Sequence, residues 1–113
     1  MLIEKSTRDL KLEIKDALET ILKEYKKDSL DELEYIINSN MPHDKAIEML
    51  QGTNNSAYGK MLGAIYMFNK MIDEDTRKEL DSYIGIVQAS ISVDINTSYC
   101  KYIYRLDEIY KEV

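Results

Sequence analysis

Few side chains in this sequence could form a reactive centre, and they are thinly spread. His43 is the only histidine and Cys100 the only cysteine. A zinc site takes four ligands, usually Cys and His, so one of each at distant positions is too little. A nucleophilic thiol or hydroxyl would need His43 as its base, and no spacing in the chain pairs them. Carboxylate-bridged metal pairs in helical bundles use Glu-x-x-His on two helices, a pattern that does not occur here. Asp73 and Asp75 open like a calcium loop, but Arg77 takes the third ligand position and Lys78 the place of the required glycine. Those carboxylates read instead as favourable charges at the start of a helix. Gly52 and Gly59 lack the Gly-Lys-Ser/Thr ending of a phosphate-binding loop. Cys100, between Tyr99 and Tyr102, reads as a small half-buried hydrophobe, and His43 as a surface histidine near a helix start. The expectation is a protein with no catalytic, metal-binding or cofactor-binding residue, and not an enzyme.

Residues suited to recognition are better represented. Gly59 and Gly63 stand four apart, preceded by Asn55 and Ser56 and followed by Met67, so a second helix can come close to the backbone along that line. A crossing within the chain is the plainer reading. The sharper one makes Tyr66, Met67, Lys70 and Met71, on a different side from Met61, Leu62, Ile65, Phe68 and Ile72, an exposed patch for another protein or a second copy of the chain. Met and Tyr adapt their shape and bury much area in such contacts. Nine tyrosines and one phenylalanine make up the aromatic residues. Tyr99, Tyr102 and Tyr110 share a side with Ile103 and Leu106 and read as core edge; Tyr104 points elsewhere and is surplus to packing.

These residues must be carried by helices. Four glycines and one proline are too few breakers for a turn-rich β fold, and Leu, Ile, Lys, Glu and Met are common. From Thr7 to Lys27, Leu10, Ile14, Ala17, Leu18, Ile21, Leu22 and Tyr25 form one apolar stripe, with Ser6 or Thr7 as N-cap. Leu2 and Ile3 precede it as a staple or a short extension. Ser29 and Glu32 have capping-box spacing and predict a second, short helix with Leu30, Leu33, Ile36 and Ile37 inward, ending at 38–40. Residues 41–51 predict a third, closed by Gly52, with a polar loop over 52–56. Ala57 to Ile72 follows as a helix so apolar that it needs cover on nearly every side, and it is expected at the centre of the fold. Thr76 and Glu79 repeat the capping-box spacing, and Leu80, Tyr83, Ile84, Val87 and Ile91 point inward. Helical spacing continues through Ile95, Tyr99, Tyr102, Leu106 and Ile109, but Asp94 to Thr97 are weak helix formers, so a break there is favoured over one long helix.

The predicted fold is therefore all-α: one domain over 1–113, a compact bundle of five to six helices around a central apolar helix at about 57–72. A net charge of −6 disfavours nucleic acid as a partner. The apolar run with two lysines is too short for a membrane crossing, and a lone cysteine with a charged N-terminus favours the cytoplasm. The expected function is a small cytoplasmic protein of the regulatory, inhibitor, immunity or adaptor type, binding another protein through an acidic surface bearing Tyr and Met, with a homodimer as a variant. The alternative is a transcriptional or mobile-element regulator in which residues 30–51 form a helix-turn-helix on DNA. Against it, His43 to Gln51 carries one lysine and two acids.

Overall fold

The computed structural model describes residues 6–111, and these form three long helices and no strand. They are α1 (Thr7–Ile37), α2 (His43–Met71) and α3 (Glu74–Lys111), and 92% of the described residues are helical. The chain runs up, down and up, so α1 and α3 are parallel and α2 is antiparallel to both. All three pairs of helices pack together. The bundle measures 57 × 23 × 17 Å, the long dimension being what a 38-residue helix spans at about 1.5 Å per residue. The placement of Leu2 and Ile3 lies outside the described residues.

The five or six helices expected from the sequence are thus three, because the expected breaks are bridged. The Ser29 capping box does not form. Ser29 lies inside α1, 1% exposed, on the stripe Leu18, Tyr25, Ser29, Leu33, Ile36 that runs unbroken to the helix end. With no Gly or Pro between Lys27 and Ile37, nothing outweighs that continuous stripe. Leu30 and Ile37, expected inward, fall off its line and are exposed.

The loop expected over 52–56 is likewise helix. Ala46, Leu50, Ala57 and Met61 keep their spacing across it and are buried. Helical Gly costs about 1 kcal/mol relative to Ala and each Asn about half that, so the packing of one apolar face outweighs the whole segment's poor propensity. The helix end expected at 38–40 is present, and the turn between α1 and α2 spans 38–42. Asn40 takes a φ of 54°, the left-handed conformation that Asn adopts more readily than most residues.

The break expected at Asp94 to Thr97 is also absent, and α3 is continuous. Ile84, Val87, Ile91, Ile95, Ser98 and Leu106 give it one unbroken buried face. α1 is capped by Ser6, whose hydroxyl accepts from the Asp9 amide at 3.2 Å. The cap of α3 is Asp73 in place of Thr76: the Thr76 amide donates to Asp73 Oδ1 at 2.7 Å.

The segment Ala57 to Ile72 does not sit at the centre of the fold. Ala57, Met61 and Ile72 are buried, but Leu62, Tyr66, Met67 and Met71 are exposed, together with Gly59, Lys60, Gly63 and Lys70. In a three-helix bundle each helix meets only two neighbours, so every helix keeps an outer side. The core is shared by all three helices in two clusters. The larger gathers Leu10, Ile14, Leu18, Met61, Leu80 and Ile95; the smaller, toward the α1–α2 turn, gathers Leu33, Ile36, Ala46, Leu50 and Leu106. Tyr102 packs against both, with its ring 6.1 Å from that of Tyr25.

Candidate functional site

The outer side of α2 carries most of the recognition residues read from the sequence. At about 100° per residue, Leu62, Tyr66, Gly59, Lys70, Gly63 and Met67 follow one another around roughly 140° of its circumference. Leu62 is 55% exposed, Tyr66 58%, Met67 56% and Met71 44%. A methyl group added at Gly59 or Gly63 would meet nothing within 4 Å. Thus no part of the described chain crosses the glycines, and the intrachain crossing expected there is not made. Lys70 lies over the Tyr66 ring, its Nζ 4.5 Å from the centroid, holding both side chains along the helix surface. Leu62, assigned to the other side by sequence spacing, borders this face.

Tyr104 is apart from it, on α3, and 67% exposed. Tyr99, Tyr102 and Tyr110 are half-buried against the smaller core cluster. Cys100 is exposed, contrary to the half-buried reading. It borders a groove of about 470 Å³ between α2 and α3 with Ile47, Ile103 and Tyr104. His43 is not a bare surface residue: its Nε2 lies 2.9 Å from Asp107 Oδ1 and its ring meets that of Tyr110 edge-on at 4.9 Å. The Tyr110 hydroxyl donates to the Met41 carbonyl at 2.6 Å, so the group fastens the α1–α2 turn to the end of α3.

Sequence reasoning missed a polar seam between α1 and α2. Tyr25 is 3% and Ser29 1% exposed, and neither hydroxyl has a hydrogen-bond partner among the described residues. Burial pushes the Tyr25 phenol up from its ordinary value, while the neighbouring Asn54 and Ser29 side chains pull it partly back. Along the seam the Thr53 hydroxyl donates to Glu32 Oε1, while Glu32 Oε2 is buried without a partner. Burial raises the Glu32 carboxyl, the Thr53 bond lowers it, and nearby Asp28 raises it further. Above the seam a cleft of about 550 Å³ opens between the two helices. The one signal that could have shown it was Ser29 on the apolar stripe of α1, four residues after Tyr25.

Among the described residues, no three His, Cys, Asp or Glu side chains come together to hold a metal ion, and no helix is long and apolar enough to cross a membrane. No protein-family model, curated protein or solved structure matches the chain.

Proposed function

We propose that this chain is a small non-enzymatic protein that acts by binding another protein, in a regulatory, inhibitor, immunity or adaptor role, through the outer side of α2 from Gly59 to Met71. The observation that carries this reading is the open backbone at Gly59 and Gly63 beside exposed Leu62, Tyr66, Met67 and Met71. Contiguous exposed apolar groups are a common mark of an interaction surface, and two glycines let a partner helix approach closely. The net charge of −6 steers a basic partner toward the molecule. The cytoplasm is the compartment proposed, since a lone exposed thiol suits reducing conditions.

The helix-turn-helix reading has less behind it. Residues 43–51 are the first turns of a 29-residue helix, their single lysine stands between Asp44 and Glu48, and His43 is engaged with Asp107. No gel retardation of DNA at low salt and micromolar protein is the expected result.

The direct test combines light scattering with cross-linking in lysate of the source organism. The expected partner cross-links through Lys60 or Lys70 and is lost on Met67→Glu and on Gly63→Arg, two exposed positions where the fold should be retained. A dimer by light scattering that both variants dissolve would make the partner a second copy. Retention of every bound protein by both variants, with unchanged circular dichroism, overturns the assignment of this face.

A further inference from the structure

The cleft between α1 and α2 combines three features that the outer face of α2 lacks. It has volume, about 550 Å³. It has a charge excess, with Asp28, Asp31 and Glu32 on the α1 wall and Glu48 on the α2 wall against the single cation Lys60. It also has unused hydrogen-bonding capacity: Tyr25, 97% buried, lines it with a partnerless hydroxyl, and Glu32 Oε2 is buried without a donor. Buried polar atoms without partners cost stability; of those beside this cleft the Tyr25 and Glu32 oxygens can accept from a hydrogen-bond donor, while Asn54 Nδ2 near Tyr25 is itself a donor.

From these observations we propose that the α1–α2 cleft binds an alkylammonium group, carried by a linear aliphatic polyamine or by a lysine side chain. An ammonium brings three donors and no acceptor, matching a site rich in carboxylate and phenol oxygens. Its methylene chain suits the apolar part of the lining, Ile21, Met49 and Ala57. A bare divalent metal fits less well, because no three carboxylates among the described residues converge on one point, whereas an extended cation can meet them singly along its length. Glu32 is the principal anchor, with one oxygen held by Thr53 and the other free to accept. Charge-assisted bonds of this kind are roughly twice as strong as neutral ones.

The test is an NMR titration of the full chain with spermidine and, separately, with a trilysine peptide capped at both ends, with magnesium chloride as control. The expected result is saturable shifts of amides near residues 25–32 and 48–60, with affinity lowered about tenfold by Glu32→Gln, the loss of one charge-assisted contact. Asp28→Asn with Asp31→Asn is the second variant, should Glu32→Gln alter the fold. Tyr25→Phe should weaken binding several-fold while leaving thermal stability equal or higher, a combination that a purely structural role would not give. Tighter binding of spermidine assigns the cleft to a free polyamine, and tighter binding of the peptide assigns it to a lysine side chain. Shifts that fail to saturate, that magnesium reproduces, or that Glu32→Gln and the double variant leave unchanged overturn the proposal.

Discussion

The Tyr58 hydroxyl donates to Asn96 Oδ1 at 2.7 Å and also reaches the Ser92 carbonyl at 3.2 Å, tying the middle of α2 to the middle of α3. Asn96 lies in the segment that the sequence reads as a helix break. Its side chain, which could have capped a new helix, accepts from a neighbouring helix instead. Burial raises the Tyr58 phenol above its ordinary range, so it remains a neutral donor throughout physiological pH. Tyr58→Phe and Asn96→Ala should each cost about 1 kcal/mol, near 4 °C in Tm for a domain of this size. A double-mutant cycle by thermal denaturation should show that the two losses are not additive.

Gly52 distinguishes helix from loop at the junction where a loop was expected. It lies inside α2, no glycine among the described residues has a positive φ, and an added Cβ would meet nothing within 4 Å. Gly52→Ala should therefore stabilise the protein by 0.5 to about 1 kcal/mol, raising Tm by a few degrees. A mobile loop at 52–56 would give no gain.

Glu32 should make stability depend on pH. Its folded pKa is above the ordinary 4.5, so the fold prefers the protonated form, and the stability due to that preference is fully present below 4.5. It is lost as pH rises through the folded value. Glu32→Gln stays neutral and keeps an oxygen for Thr53. It should melt higher than the parent at pH 7, and the difference should close below pH 4.5 in a series of melts.

Asp73 has the opposite sign. The Thr76 amide, with further help from the Thr76 side chain, holds its carboxyl below the ordinary 3.8, so its contribution is present above 3.8 and lost as pH falls through the lower folded value. Asp73→Ala should lower Tm at pH 7, and parent and variant should converge in strong acid.

How much of this could be read beforehand differs from one level to the next. Helicity was legible, because Leu10, Ile14, Leu18, Leu80, Ile84 and Ile91 carry it in their spacing and are buried as that spacing requires. Helix number was not. Ser29, Gly52 and Asn96 are local stop signals worth about 1 kcal/mol each, and each lies where continuous packing of one face is worth more. Residues 57–72 are not central for a related reason: in a three-helix bundle each helix keeps an outer side whatever its apolar content. The cleft was illegible because Tyr25, Glu32 and Thr53 meet only once α1 and α2 are both long and antiparallel.

Met61 and Leu62, at adjacent positions, test the off-centre placement of residues 57–72. Met61 is 1% exposed within the larger core cluster, while Leu62 is 55% exposed on the outer side of the same helix. Were residues 57–72 enclosed on all sides, truncating either would leave a cavity. In the three-helix arrangement, Met61→Ala should cost about 2 to 4 kcal/mol, enough to endanger a marginally stable domain. Leu62→Ala should stay within about 0.5 kcal/mol of the parent, since it empties no enclosed space and Ala is the better helix former. Urea denaturation of the two variants measures both, and equal losses would place Leu62 in a buried contact with a second molecule.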